Sequence, residues 1–178
     1  MKKYLILYRP FLVFLTKFFL TYLVLSLIYQ GYLSWFDENS VDSLTRIVAR
    51  NTEALFSFFN VNFLAKEVPG VPFIMLLYNG QYMARMIEGC NAVSVMVLFV
   101  SFVVSFSGKL KSTLLFIMGG SAFIYVLNIM RIGLLCMGLY WFPEQESLLH
   151  DVVFPLFIYG VVFVLWVIWV NKFSLYAK

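Results

Sequence analysis

Charge is scarce in this chain: 12% of its 178 residues are charged and 62% are hydrophobic, against about 25% charged in an ordinary soluble domain. A free cytosolic globule is thereby excluded. Histidine occurs once and cysteine twice. A structural zinc site takes four ligands and a catalytic one usually three protein ligands, so a zinc protease of the HExxH type is excluded and no metal or other cofactor is expected. Cys90 and Cys136 have no framework-like spacing and both read as thiols. The chain carries no basic stripe and no nucleic-acid module, so nucleic acid is not an expected partner. Repeats and low-complexity tracts are also missing.

Long apolar runs are what the chain has instead. With 20 Phe, 11 Tyr and 4 Trp between short charged clusters, several segments have a bilayer as their solvent. The fold class expected is an all-α polytopic membrane protein forming one integral membrane domain over 1–178. Four spans are read: Phe11 to Tyr32, Asn91 to Phe106, Thr113 to Tyr140 and Val152 to Val170. The third is long enough to tilt or to kink near Gly133. Lys2, Lys3 and Arg9 before the first span resemble a signal peptide, but no small-x-small cleavage site follows in Tyr29-Gln30-Gly31-Tyr32, so this span is expected to remain as an anchor.

Basic residues mark the cytoplasmic side of a membrane protein. Lys2, Lys3 and Arg9, then Lys109 and Lys111, then Lys172 and Lys178 fall on one side, whereas the connection from Trp141 to Asp151 carries Glu144, Glu146 and Asp151 and no base. Both termini are therefore expected in the cytoplasm, with the connection 33–89 outside. In that connection Asp42, Arg46, Arg50, Glu53, Ser57 and Asn60 follow one another at helical spacing, with Leu44, Ile47, Val48, Leu55, Phe58 and Phe59 on the opposite face. This predicts an amphipathic helix from Val41 to Asn60 lying on the outer leaflet. A fifth span is disfavoured because two Arg, an Asp and a Glu would enter hydrocarbon. Further on, Asn79-Gly80 separates Phe73 to Tyr78 from Gln81 to Ile87, which predicts a short β-hairpin with a type I′ turn.

On this topology three reactive residues reach the outer surface. Cys90 opens the second span and His150 the fourth. Arg131 follows eighteen residues of the third span, about 27 Å of rise and nearly the hydrocarbon thickness. A thiol becomes a useful nucleophile beside a cation or an imidazole, and His150 is the one imidazole available. Arg131 stays protonated, which suits it to bind a carbonyl or oxyanion or to stabilise a thiolate. Glu88 is placed to orient His150, to pair with Arg131 or to bind substrate. Each residue also has a plain structural reading. Cys90 can be a small hydrophobe, Arg131 can snorkel to the interface, and His150 with Asp151 can be a solvated loop pair. Cys136 lies in the apolar stretch Leu134 to Met137 and keeps the structural reading. Ser105-Phe106-Ser107-Gly108 approaches the G-x-S-G of intramembrane serine proteases, but Ser105 replaces the first Gly and falls on the cytoplasmic side. Glu144 and Glu146 read as solvated topology markers.

Ile87-Glu88-Gly89-Cys90-Asn91-Ala92 opening one span, Asn128-Ile129-Met130-Arg131-Ile132 ending the next and His150-Asp151 opening the last resemble the exosortase/archaeosortase family, and its compact exosortase type F of Bacteroidetes-like bacteria in particular. The resemblance runs from about Pro69 to Phe163. It implies a membrane cysteine transpeptidase or peptidase whose Cys, Arg and His fall on Cys90, Arg131 and His150, with Glu88, Asn128 and Asp151 as substrate-binding or orienting residues. The implied partner is an exported protein with a C-terminal transmembrane sorting signal, handled in lipid at the outer face of the bacterial inner membrane, with an envelope protein as a further candidate partner. Two features depart from the family: its commoner Cys-Ser-Gly or Cys-Thr-Gly reads Cys90-Asn91-Ala92 here, and larger members have about eight spans. The alternative reading is a non-catalytic assembly or scaffold protein of the envelope, in which Arg131 pairs with Glu88.

Overall fold

The computed structural model describes residues 8–174. Lys2, Lys3 and Lys178, three of the orientation markers, lie outside the described residues. Helix α1 (Arg9–Leu33) starts with Pro10 in its first turn, where the missing N–H costs nothing. It is mostly apolar, none of its residues is buried, and it meets the rest of the bundle through Phe14, whose ring touches Phe102 and Phe106, and near its other end through the hydroxyls of Tyr29 and Tyr32.

Helix α2 (Ser43–Phe58) is capped by Asp42, whose Oδ1 accepts the Thr45 N–H at 2.9 Å. Asn60 follows its end with φ 58°, a left-handed conformation that Asn tolerates. The face it buries is Thr45, Val48, Ala49, Thr52 and Phe56; of the predicted apolar face Val48 is buried and Leu55 partly so, while Leu44, Ile47, Phe58 and Phe59 are exposed. Two threonines can be buried because their hydroxyls have partners: Thr52 Oγ1 donates to the Val48 carbonyl at 2.8 Å, and Thr45 Oγ1 accepts from Asn91 at 3.1 Å. Small side chains then let α2 lie close to the long helix α4 (Leu110–Trp141).

The predicted hairpin is part of a three-stranded antiparallel sheet in the order β1 (Phe63–Glu67), β2 (Ile74–Tyr78), β3 (Gln81–Met86). Asn79 and Gly80 both have positive φ, 51° and 77°, and Tyr78 pairs with Gln81, as a type I′ turn requires. Strand β1 carries Lys66 and Glu67 and only one buried residue, which is why alternation did not signal it. A register shift at Leu76/Leu77 leaves Met83 as an extra residue between Tyr82 and Ala84. Ile74, Leu76 and Tyr78 of β2 join Phe63, Met86, Val48, Ala49 and Phe56 in one core, closed by Ile129, Ile132 and Cys136 of α4.

A second core lies within the helices: Phe99 and Val103 of α3 (Val93–Ser105), Ile124 of α4, Val162 of α5 (Phe154–Ile168) and Trp169. Helix α4 therefore serves both layers, and two glycines allow it. A Cβ on Gly120 would overlap the Phe99 ring, and one on Gly133 would overlap the Phe56 ring. The helix continues without interruption through Gly133, and this glycine serves the close approach of the Phe56 ring. α5 is extended at both ends by wider π-helical turns, Leu148–Val153 and Trp169–Phe173. At the first, Phe154 N–H reaches back five residues to the Leu149 carbonyl, and Pro155 has no N–H to offer four residues back.

Among the described residues three helices are long and apolar enough to span a membrane: Arg9–Leu33, Leu110–Trp141 and Leu148–Phe173. The second of the four predicted spans is different. Helix α3 has 13 residues, about 20 Å of rise against a hydrocarbon core of about 30 Å. The bridge between Gly108 and Ser174 joins the turn before α4 to the end of the last helix, and the residues singled out for chemistry gather at the other end.

Candidate functional site

Strand β3 runs through Ile87 into a 3-10 turn, Glu88–Cys90, so the sheet delivers Cys90 to the head of α3. Two buried asparagines hold that turn. Asn91, 2% exposed, donates through Nδ2 to the Tyr29 hydroxyl at 2.9 Å and to Thr45 Oγ1 at 3.1 Å, and its Oδ1 accepts the Val93 N–H at 2.9 Å. Asn128, equally buried, donates to the Cys90 carbonyl at 2.8 Å. The backbone around Cys90 is thus tied to α1, α2 and α4. Ala92 completes the turn with φ 64°.

Arg131 is three residues beyond Asn128 and so projects from nearly the same face of α4. Its Nε is buried without a hydrogen-bond partner. His150 and Asp151 lie in the π-helical turn ahead of α5, where His150 Nδ1 and Asp151 Oδ1 are 2.7 Å apart, with the two side chains 60% and 66% exposed. A carboxylate only accepts, so Nδ1–H donates, and in the neutral imidazole Nε2 is then the nitrogen with the lone pair.

Cys90, Arg131 and His150 line one cavity of about 580 Å³, between β3, α4 and the turn ahead of α5. Asn128 and Asp151 stand behind it, each bonded to one of its lining residues. Glu88 does not line it. It faces a second cavity, about 520 Å³, with Asp37, Glu38 and Asp42. Among the described residues the ion pairs are Arg46–Glu67 and His150–Asp151, so Glu88 and Arg131 are not paired. No group of three or more His, Cys, Asp or Glu side chains suited to a metal occurs among the described residues.

Glu146, read from sequence as a solvated marker, lines the cavity, as do Tyr82 and Arg85 of β3. Nothing local signals them, since only the docking of sheet and loop against α4 brings them there. Asn91 had a usable signal, an Asn just ahead of an apolar helix. Cys136 is fully buried in the first core. Ser105 is buried and donates to the Ser101 carbonyl, which leaves it no nucleophilic role. The chain matches no protein-family model, no curated protein and no solved structure.

Proposed function

We propose that the protein is a membrane cysteine peptidase or transpeptidase of the exosortase type, cutting an anchored polypeptide just outside the bilayer. The observation that carries this reading is the shared cavity of Cys90, Arg131 and His150, three residues that are remote in sequence. The family's Cys-Ser-Gly form puts glycine where Ala92 adopts a left-handed φ of 64°, the conformation glycine takes at no steric cost.

His150 Nε2 takes the Cys90 thiol proton, and the thiolate attacks the scissile carbonyl carbon. The carbonyl π pair moves to oxygen, and the oxyanion is held by the guanidinium of Arg131, which lines the same cavity. Collapse expels the amine, which takes the proton from His150, and leaves a thioester on Cys90. Water or an amine acceptor, deprotonated by His150, then attacks the thioester and returns the thiol. Asp151 keeps the imidazole in the tautomer with Nε2 free. The surrounding apolar helices suit a substrate that arrives with its own transmembrane segment, whose lateral packing fixes the position of the scissile bond. In this reading the protein sits in a bacterial inner membrane with both termini inside and the cavity on the outer face.

The test compares the C-terminal peptides of envelope proteins in cells carrying the natural chain, Cys90→Ala or Cys136→Ala. Full-length anchored precursors should accumulate with Cys90→Ala alone. Equal processing in all three, with each variant stably inserted, would overturn the catalytic reading and leave a scaffold.

A further inference from the structure

The two edges of the small sheet are finished differently. On β1 the outward N–H of Ala65 is capped by Glu53 Oε2 at 3.3 Å, and Glu67 is bound by Arg46 of α2 at 2.6 Å. Among the described residues strand β3 pairs with β2 and with no further strand. Its phase follows from a bond at the turn: Asn79 N–H donates to the Asn62 carbonyl at 2.9 Å. Alternation along β2 then turns the backbone of Leu77 and Met75 toward β1. Their β3 partners, Tyr82 and Arg85, therefore present N–H and C=O away from β2, on the free edge.

That edge opens into the cavity of Cys90. Six consecutive residues, Tyr82 to Ile87, line it. Successive side chains of a strand point to opposite faces, so a cavity touched by all of them runs along the edge of β3, reaching on one face to Leu76 of β2.

We propose that this edge is the substrate seat, on which an extended peptide segment docks as a fourth strand through main-chain hydrogen bonds to Tyr82 and Arg85. The inference rests on the peptidase reading above. It also fixes direction. β3 runs toward α3 and the bilayer, and a polypeptide anchored at its C-terminus enters the bilayer after its scissile bond. With that bond at Cys90, the residues preceding it lie along β3 and run the same way, so the added strand is parallel. Main-chain pairing lets one edge accept several sequences, with selectivity left to the side chains that flank it.

Proline at an outward-facing edge position removes a donor without breaking the native ladder. In the cell assay above, Arg85→Pro should slow precursor processing by roughly tenfold, the loss of one main-chain bond, and should slow it more than Arg85→Ala, which keeps the main-chain donor. Normal processing by Arg85→Pro would overturn the edge and leave the cysteine chemistry standing. No Cys90-dependent processing at all would overturn both. Should Arg85→Pro fail to insert, disulfide trapping decides: in Cys90→Ala chains carrying Tyr82→Cys or Arg85→Cys, single cysteines are stepped along the precursor. A parallel strand gives cross-links nearer the anchor with position 85 than with position 82. The reverse order, or no order, would overturn it.

Discussion

His150 and Asp151 differ in how much each should matter, and their exposure decides it. On the proposed peptidase mechanism His150 is a positioned general base, which contributes about 10²- to 10⁴-fold, so His150→Ala should slow cleavage by about that much. Asp151 is 66% exposed and water competes for the same imidazole N–H, so Asp151→Asn should slow cleavage less than His150→Ala. Single-turnover rates of precursor cleavage in isolated membranes check the ranking. Cys90, Arg131 and His150 could be singled out from sequence because thiol, guanidinium and imidazole are rare in this chain and fall at the ends of apolar runs. Asn91 and Asn128 gave weaker signals. Their importance comes from bonds to partners 62 and 38 residues away, and such pairing leaves no mark on either local stretch. Glu88 is the converse case: two residues from Cys90 in sequence, it faces another cavity because the 3-10 turn rotates it away.

Among the elements, α4 is where packing tolerance is smallest. Gly133 lies under the Phe56 ring, so Gly133→Ala forces α2 off α4 and should cost about 1–3 kcal/mol of unfolding stability. Thermal unfolding in detergent micelles measures this, and pairing the change with Phe56→Leu should recover part of the loss. Beside the Phe56–Phe63 packing, α2 and β1 are joined by an ion pair that answers to pH. The Arg46 guanidinium holds the Glu67 carboxyl below its ordinary 4.5, so its stabilisation is full above that value and is lost as pH falls through the depressed one. Both partners are partly exposed, which limits the pair to about 0.2–1 kcal/mol. In urea titrations from pH 7 to pH 3, Glu67→Gln should be slightly less stable at pH 7 and should lose less on acidification. The hairpin was legible because Asn-Gly leaves few alternatives. The buried face of α2 was so only in part, because apolar identity passed over two threonines whose hydroxyls are satisfied only in the fold.

For the whole molecule, the exposed surface is what demands a bilayer. α1 buries none of its residues, and large side chains such as Phe19, Leu27, Leu115, Leu156 and Phe163 are exposed, far beyond the apolar patches of a soluble monomer. The chain should therefore stay in the membrane pellet after an alkaline carbonate wash, and its appearance in the supernatant would contradict a spanning arrangement. Composition alone determined that much, along with the long apolar segments, because the cost of exposing apolar surface to water adds up residue by residue. Local chemistry also determined the Asn-Gly turn and the Asp42 cap. Tertiary structure alone decided that β1 completes a sheet and that Cys90, Arg131 and His150 share a cavity while Glu88 does not. Those outcomes depend on close packing around Gly120 and Gly133 and on hydrogen bonds between distant residues, where fit in three dimensions, rather than the order of residues along the chain, sets the free energy.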